Sequence, residues 1–296
     1  MKTTHNSAKR RLTAAALILV FLSLFTLPAF AKSERPTPRV DNITVTAYSA
    51  VPIYYQGNRL SVDARLINGT TYVPIRAFAT AVCNCTVSWN AKTRTATLTA
   101  DGLYLIASDK GTYLTANGRY LFNENPAVIL SNGTLYVPVR PLAKALGVGI
   151  EWNAANRSVT VTGTYEPILS GDKFYDADSV YWLSRIISAE SQGEPLLGQI
   201  AVGNVVLNRV ESDEYPNTIY GVIFDRKYGT QFTPAAIGTV YEKPFWLSVV
   251  AAKICLEGTS LDDRVLYFYE PALSTSNWIG QNRPYAFTIG CHQFYY

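Results

Sequence analysis

The chain has 296 residues, 48% of them apolar, with 26 Lys and Arg against 22 Asp and Glu and a formal charge of +4. Its two histidines, His5 and His292, are too few for copper sites built on several imidazoles and for most catalytic zinc sites, so no metal and no cofactor are expected. Lys2, Lys9, Arg10 and Arg11 account for the whole surplus of positive charge; the rest of the chain is neutral and lacks the basic surface a nucleic-acid partner requires.

Those four residues precede an uncharged run from Leu12 to Ala31 that ends in Ala-Phe-Ala. The pattern is that of a signal peptide over residues 1–31, cleaved after Ala31. An uncleaved anchor is the alternative, but Pro28 and the small residues at the end favour cleavage, after which no integral membrane segment is expected.

Next comes an internal repeat, over residues 41–163. Asn68-Gly69-Thr70-Thr71-Tyr72-Val73-Pro74-Ile75-Arg76 recurs 64 residues later as Asn132-Gly133-Thr134-Leu135-Tyr136-Val137-Pro138-Val139-Arg140, and Ser88-Trp89-Asn90 recurs as Glu151-Trp152-Asn153. Two units are expected, about 41–100 and 101–163. Each is read as a hairpin, a strand closed by Pro, one helix (77–82; 141–146) and a final hairpin. The Tyr-Val-Pro-hydrophobic-Arg element followed by Trp-Asn resembles the domain at the amino terminus of copper amine oxidases. That resemblance implies a stalk and not an oxidase, since the stretch contains no histidine. The repeats read first as a spacer and second as a means of wall attachment, and Trp89 and Trp152 as core anchors. A linker is expected over 164–175, with Pro167, Ser170 and Gly171.

From residue 176 to 296 the pattern turns helical. Asp178 is a candidate cap for a helix whose apolar residues Leu183, Ile186 and Ile187 form a stripe that Glu190 completes. A carboxylic acid on that stripe stands partly out of water, which disfavours its charge and suits it to act as a general acid near neutral pH. Gly193 and Pro195 end this helix and begin a nearly all-apolar one, whose polar exceptions are Asn204, Asn208 and Arg209.

The string Ser188-Ala189-Glu190-Ser191-Gln192-Gly193-Glu194-Pro195 is followed by Leu207-Asn208-Arg209-Val210, Gln231-Phe232-Thr233-Pro234, Tyr267-Phe268-Tyr269, Ser276-Asn277-Trp278 and Gly290-Cys291-His292-Gln293-Phe294. This series resembles the cell-wall hydrolase family that includes the spore-cortex-lytic enzymes. The resemblance implies an α+β fold: two small repeated α+β stalk modules, then a mainly helical, lysozyme-like α+β catalytic domain. It implies cleavage of peptidoglycan between N-acetylmuramic acid and N-acetylglucosamine, by a lytic transglycosylase or muramidase route, with Glu190 as the single catalytic carboxylate. It also implies location in the cell wall or spore envelope, with wall or spore-coat proteins as partners through the repeats.

Substrate contacts are expected from Glu194, Asn208, Gln231, Phe232, Thr233, Tyr267, Trp278 and His292. Where the family pattern leads one to expect asparagine, this chain has Cys291. Two rivals stand beside this reading. One is a cysteine-dependent wall peptidase using Cys255 or Cys291 with His292, against which adjacent residues of an extended segment point to opposite faces. The other is a noncatalytic wall-binding protein. The pairing of Cys83, Cys85, Cys255 and Cys291 is left open, a Cys255–Cys291 bridge being one alternative.

Overall fold

The computed structural model describes residues 48–123, 129–131, 133–227, 229–274 and 276–296; the expected signal peptide and Asn132 of the second motif lie outside them. The fold is α+β. Among the described residues no helix is long and apolar enough to cross a membrane.

The first repeat supplies β1 (Ser49–Ala50), β2 (Ile53–Tyr55), β3 (Asn58–Arg59), β4 (Arg65–Ile67), β5 (Thr70–Pro74), α1 (Ile75–Val82), β6 (Thr86–Asn90) and β7 (Thr95–Ala100). The second supplies β8 (Leu103–Ser108), β9 (Tyr113–Ala116), β10 (Arg119–Phe122), β11 (Ile129–Ser131), β12 (Thr134–Pro138), α2 (Val139–Ala145), β13 (Gly149–Asn153) and β14 (Ser158–Thr162). The helices start at Ile75 and Val139, two residues before the expected positions on either repeat, because Pro74 and Pro138 act as N-caps. In α1, Ile75, Phe78, Ala79 and Val82 are buried, the spacing that puts one apolar stripe on the core.

The expectation of two modules in series gives way to one interleaved module. The repeated motif pairs with itself, β5 running antiparallel to β12 with Val73 opposite Val137, Tyr72 opposite Pro138 and Pro74 opposite Tyr136. A local two-fold therefore passes between the two strands. On either side the closing hairpins change partners: β6 and β7 join β8, β9 and β10, while β13 and β14 join β2 and β3, with β14 parallel to β2. Residues of both repeats fill one shared core, including Phe78, Leu98, Leu105, Leu142 and Leu146. Size favours this arrangement: a unit of roughly 60 residues with one short helix is marginal on its own, and one shared core buries a larger fraction of the surface of both.

Trp89 and Trp152 are not core anchors. They lie on β6 and β13, the outermost strands of their sheets, and remain 42% and 40% exposed. Repetition told that their position matters but not which face of an edge strand they occupy.

The carboxy-terminal part comprises α3 (Gly171–Phe174), α4 (Ala177–Ser191), α5 (Leu196–Glu211), α6 (Ile219–Phe224), α7 (Thr233–Ile237), a 3-10 turn (Thr239–Tyr241), α8 (Trp246–Leu256), β15 (Tyr267–Tyr269), α9 (Trp278–Asn282), β16 (Tyr285–Ile289) and β17 (His292–Tyr295). Strand β17 lies between β15 and β16. Helix α5 is buried along most of its length, and α4 and α8 pack against it. Gly203 permits this approach, since a Cβ there would sit 2.7 Å from Cys255 Sγ and 2.8 Å from Ile187 Cδ1. The N-cap of α4 is Asp176, accepting from Ser179 N at 2.7 Å, and not Asp178, which sits in the first turn.

The segment from 164 to 175 is tied down at several points. Glu166 N donates to Leu146 O (3.1 Å), Asn117 Nδ2 to Ile168 O (3.0 Å), and Gly171 N to Asn117 O (2.8 Å). The repeats also dock directly on the carboxy-terminal part. Glu257, just beyond α8, accepts from Arg119 Nε and Nη2, both at 2.7 Å, and from Tyr175 OH at 2.8 Å, and pairs with Lys144 Nζ at 2.8 Å. Tyr113 is buried within the carboxy-terminal core, with Tyr120 and Phe122 packed on it. The described residues, 48 onward, form one compact unit.

Candidate active site

Helix α4 buries Leu183, Ile186 and Ile187 completely and carries Glu190 one turn further along the same stripe, at its carboxy-terminal end. Glu190 is half-buried and lines a cleft of about 1090 Å³. Burial pushes its carboxyl up to about 7, against the opposing pull of the Arg209 guanidinium. At neutral pH it is thus divided between acid and carboxylate, the condition under which one group can first donate and then accept a proton.

The same cleft gathers Gln231, Phe232, Thr233, Tyr267, Trp278 and His292 of the expected contacts. Trp278 is 52% exposed and offers its ring to the opening. Thr233 opens α7, and its neighbour Phe232 is 2% exposed, packed in the core near Phe268 with ring centroids 6.4 Å apart. Phe232 therefore forms the cleft floor and cannot stack on a ligand, a correction that follows from the alternation of faces in the Gln231-Phe232-Thr233 segment. His292 is buried beside the Phe268 ring at 5.5 Å.

Two expected contacts are not on the cleft. Asn208 Nδ2 donates to Asp262 O and Val265 O, both at 2.9 Å, so its amide holds the loop leading into β15. Glu194 turns toward the β16–β17 turn, where both carboxylate oxygens accept from Cys291 N at 3.2 Å and Oε1 lies 3.5 Å from His292 Nδ1. Both side chains shape the site from behind. The turn depends on Gly290, whose φ is +59° and whose Cβ, if present, would fall 1.6 Å from Glu194 Oε2. Gly290→Ala is expected to displace the Glu194 carboxylate and to destabilise the fold by about 1–3 kcal/mol, readable in chemical denaturation.

Sequence reasoning named Arg209 as a polar break in α5 and as part of a family string, with no role of its own, yet it is a cation of the site. Its guanidinium is buried, donates from Nε to Leu266 O at 2.8 Å, and lies 5.0 Å from the Tyr215 ring and 5.2 Å from that of Phe232. The available signal was a charged residue on an otherwise apolar helix. Arg283 was missed altogether. It reaches the cleft with its guanidinium 4.4 Å from the Tyr267 ring and 5.5 Å from that of Trp278, and its buried Nε has no hydrogen-bond partner among the described residues.

The cysteines are all unpaired. Cys255 is buried under α5, its thiol near Ile200 O at 3.4 Å, and burial raises it far above the usual thiol range. Cys291 is exposed, and the nearby carboxylates of Glu194 and Glu270 raise it as well. Neither thiol has the electropositive setting that makes a nucleophile. Among the described residues no group of three or more His, Cys, Asp or Glu is placed to hold a metal ion.

Residues 193–295 match the family model described as cell wall hydrolase, and residues 54–161 match the copper amine oxidase N-terminal domain. The hydrolase match begins three residues after Glu190, so that residue's role rests on its geometry. Spore cortex-lytic enzymes of Bacillus cereus and Bacillus subtilis are similar over 120 residues at 38% and 33% identity, covering 40% of this chain in both cases and 45% and 38% of theirs. The chain thus spans less than half the length of these curated relatives. Among solved structures, the catalytic domain of a germination-specific lytic transglycosylase from Bacillus anthracis is 36% identical, covering 44% of this chain and all of that one, with a TM-score of 0.38. The chain carries a cell wall hydrolase domain in its carboxy-terminal third, with a copper amine oxidase N-terminal-like domain upstream.

Proposed function

We propose that this protein cleaves the glycan strands of peptidoglycan at the bond between N-acetylmuramic acid and N-acetylglucosamine, with Glu190 as its single catalytic carboxylate and spore cortex as the candidate substrate. The observation that carries the reading is the half-buried Glu190 carboxyl, raised to about 7, at the wall of an aromatic-lined cleft. As the acid it protonates the glycosidic oxygen while the C1–O bond breaks. As the carboxylate it then takes the proton from the 6-hydroxyl of the same muramic residue, whose oxygen closes on C1 to give an anhydro ring. The substrate supplies the nucleophile, so no second carboxylate is needed, unlike the paired arrangement of most glycosidases.

The buried Arg209 keeps Glu190 from rising further and so preserves its second duty as a base. Trp278 and Tyr267 suit the apolar faces of sugar rings, Gln231 and Thr233 their hydroxyls. Arg283, whose Nε has no partner among the described residues, suits a carboxylate of the peptide attached to the strand.

Digestion of purified peptidoglycan followed by mass spectrometry tests this. Anhydro-muramic ends are the expected product; reducing ends would replace the 6-hydroxyl by water, and released peptides alone would overturn the reading. Because the donor must be protonated in the free enzyme, kcat/KM is expected to fall as pH rises through about 7. A rate that climbs through that region would rule out a carboxylic acid donor.

A further inference from the structure

Two grooves on the interleaved repeats take no part in this reaction. One, of about 830 Å³, is lined by Arg76, Val87 and Trp89 of the first repeat and by Gly133 and Thr134 of the second. The other, of about 440 Å³, is lined by Arg140, Ile150 and Trp152 of the second repeat and by Gly69 and Thr70 of the first. Every residue named in one has its repeat counterpart in the other. The grooves therefore share a common set of residues related by the local two-fold between Val73 and Val137, each with contributions from the opposite repeat, the first being larger and lined also by Asp63, whose carboxylate is held by Arg65.

Their chemistry is that of a sugar site with an acidic attachment. Both indoles stand about two-fifths exposed, although a buried Trp is among the most stabilising residues a core can hold. Both arginines are exposed at the first turn of their helices, and neither has an ion-pair partner among the described residues. A flat indole stacks on the C–H face of a pyranose, a guanidinium forks onto a carboxylate, and Thr70 and Thr134, which line the grooves, carry hydroxyls of the kind that bond sugar hydroxyls.

We propose that the paired grooves bind the peptidoglycan strand, each holding one sugar on its Trp and a carboxylate of the attached peptide on its Arg. The choice of polymer rests on the reading of the carboxy-terminal cleft given above. Two related sites on one module with a shared core engage a polymer with an avidity of about 10²–10⁴ beyond either alone when both are filled.

The test is co-sedimentation of the full chain with purified peptidoglycan stripped of its phosphate-containing polymers, using Glu190→Gln throughout so that the polymer is not consumed. Trp89→Ala or Trp152→Ala alone is expected to weaken binding about tenfold, and the pair together by more than 10²-fold. Arg76→Gln with Arg140→Gln, which removes no buried group, is expected to weaken binding to peptidoglycan and to leave weak binding to uncharged chitin as it was. Circular dichroism checks that each variant is folded. Wild-type-like sedimentation of the folded double Trp variant would overturn the proposal, as would binding that disappears once the phosphate polymers are stripped. With Glu190 intact, cleavage of short soluble fragments reports on the cleft alone, so failure there would strike the catalytic reading and leave the grooves standing.

Discussion

Glu190→Gln is expected to lower kcat on peptidoglycan by about 10²–10⁴-fold, the usual worth of a positioned general acid, and at the same time to stabilise the protein. The second effect follows from the direction of the shift. A carboxyl raised from 4.5 to about 7 binds its proton more tightly in the folded state, so the fold bears a growing cost as pH rises from the unfolded value through about 7. Above that the cost is constant, about 2 kcal/mol after allowance for the partial exposure of the group. Glutamine carries no charge at any pH. The variant should therefore melt higher than wild type at pH 8 and at the same temperature at pH 4, as calorimetry at the two pH values would reveal. Equal melting temperatures at pH 8 would mean that the carboxyl is not held out of water.

Glu257→Ala is the substitution expected to cost most stability, about 3–5 kcal/mol, because it strands a buried cation. Burial alone would push the Glu257 carboxyl up, but Arg119, Lys144 and Tyr175 outweigh it and hold the group below its ordinary value. Arg119, also buried, has Phe174 stacked under its guanidinium at 3.4 Å and loses in the variant the one carboxylate that pairs with it among the described residues. A lowered folded value means that this contribution is present above the usual glutamate range and is lost as pH falls through the folded value. Since the contact joins the repeats to α8, the variant should also unfold in two steps by urea titration and become open to proteolysis between residues 164 and 175. A single transition at the wild-type midpoint would show that the junction is held by other contacts.

The carboxy-terminal part was more legible than the repeats, for a reason that lies in the kind of signal each carries. Leu183, Ile186, Ile187 and Glu190 share one helix, and a helical period fixes which residues share a face without any knowledge of the partner. The pairing of β7 with β8 is a local hairpin across Asp101-Gly102 that the assumed unit boundary at 100/101 hid, whereas the pairing of β14 with β2 is a tertiary choice, and alternation of apolar residues is the same whichever neighbour a strand takes. The repeat in sequence was real, but it invited division into two bodies where the strands cross over. Asn208 and Glu194 were read as substrate contacts because their motifs contained them. Their side chains are used instead to hold the loop before β15 and the turn at Cys291. Arg209 was visible as an oddity of α5, but its closeness to Glu190 depends on the angle at which α4 and α5 pack.

The crossing of strands between the repeats bears on how the chain acquires its shape. Strand β2 finds its parallel neighbour β14 about a hundred residues downstream, and the first half has no closed interior until the second is complete. Closing a pairing between strands so far apart is slow, so the shared core is expected to complete only once both repeats are present, while the local hairpins β6–β7, β7–β8 and β13–β14 can form earlier.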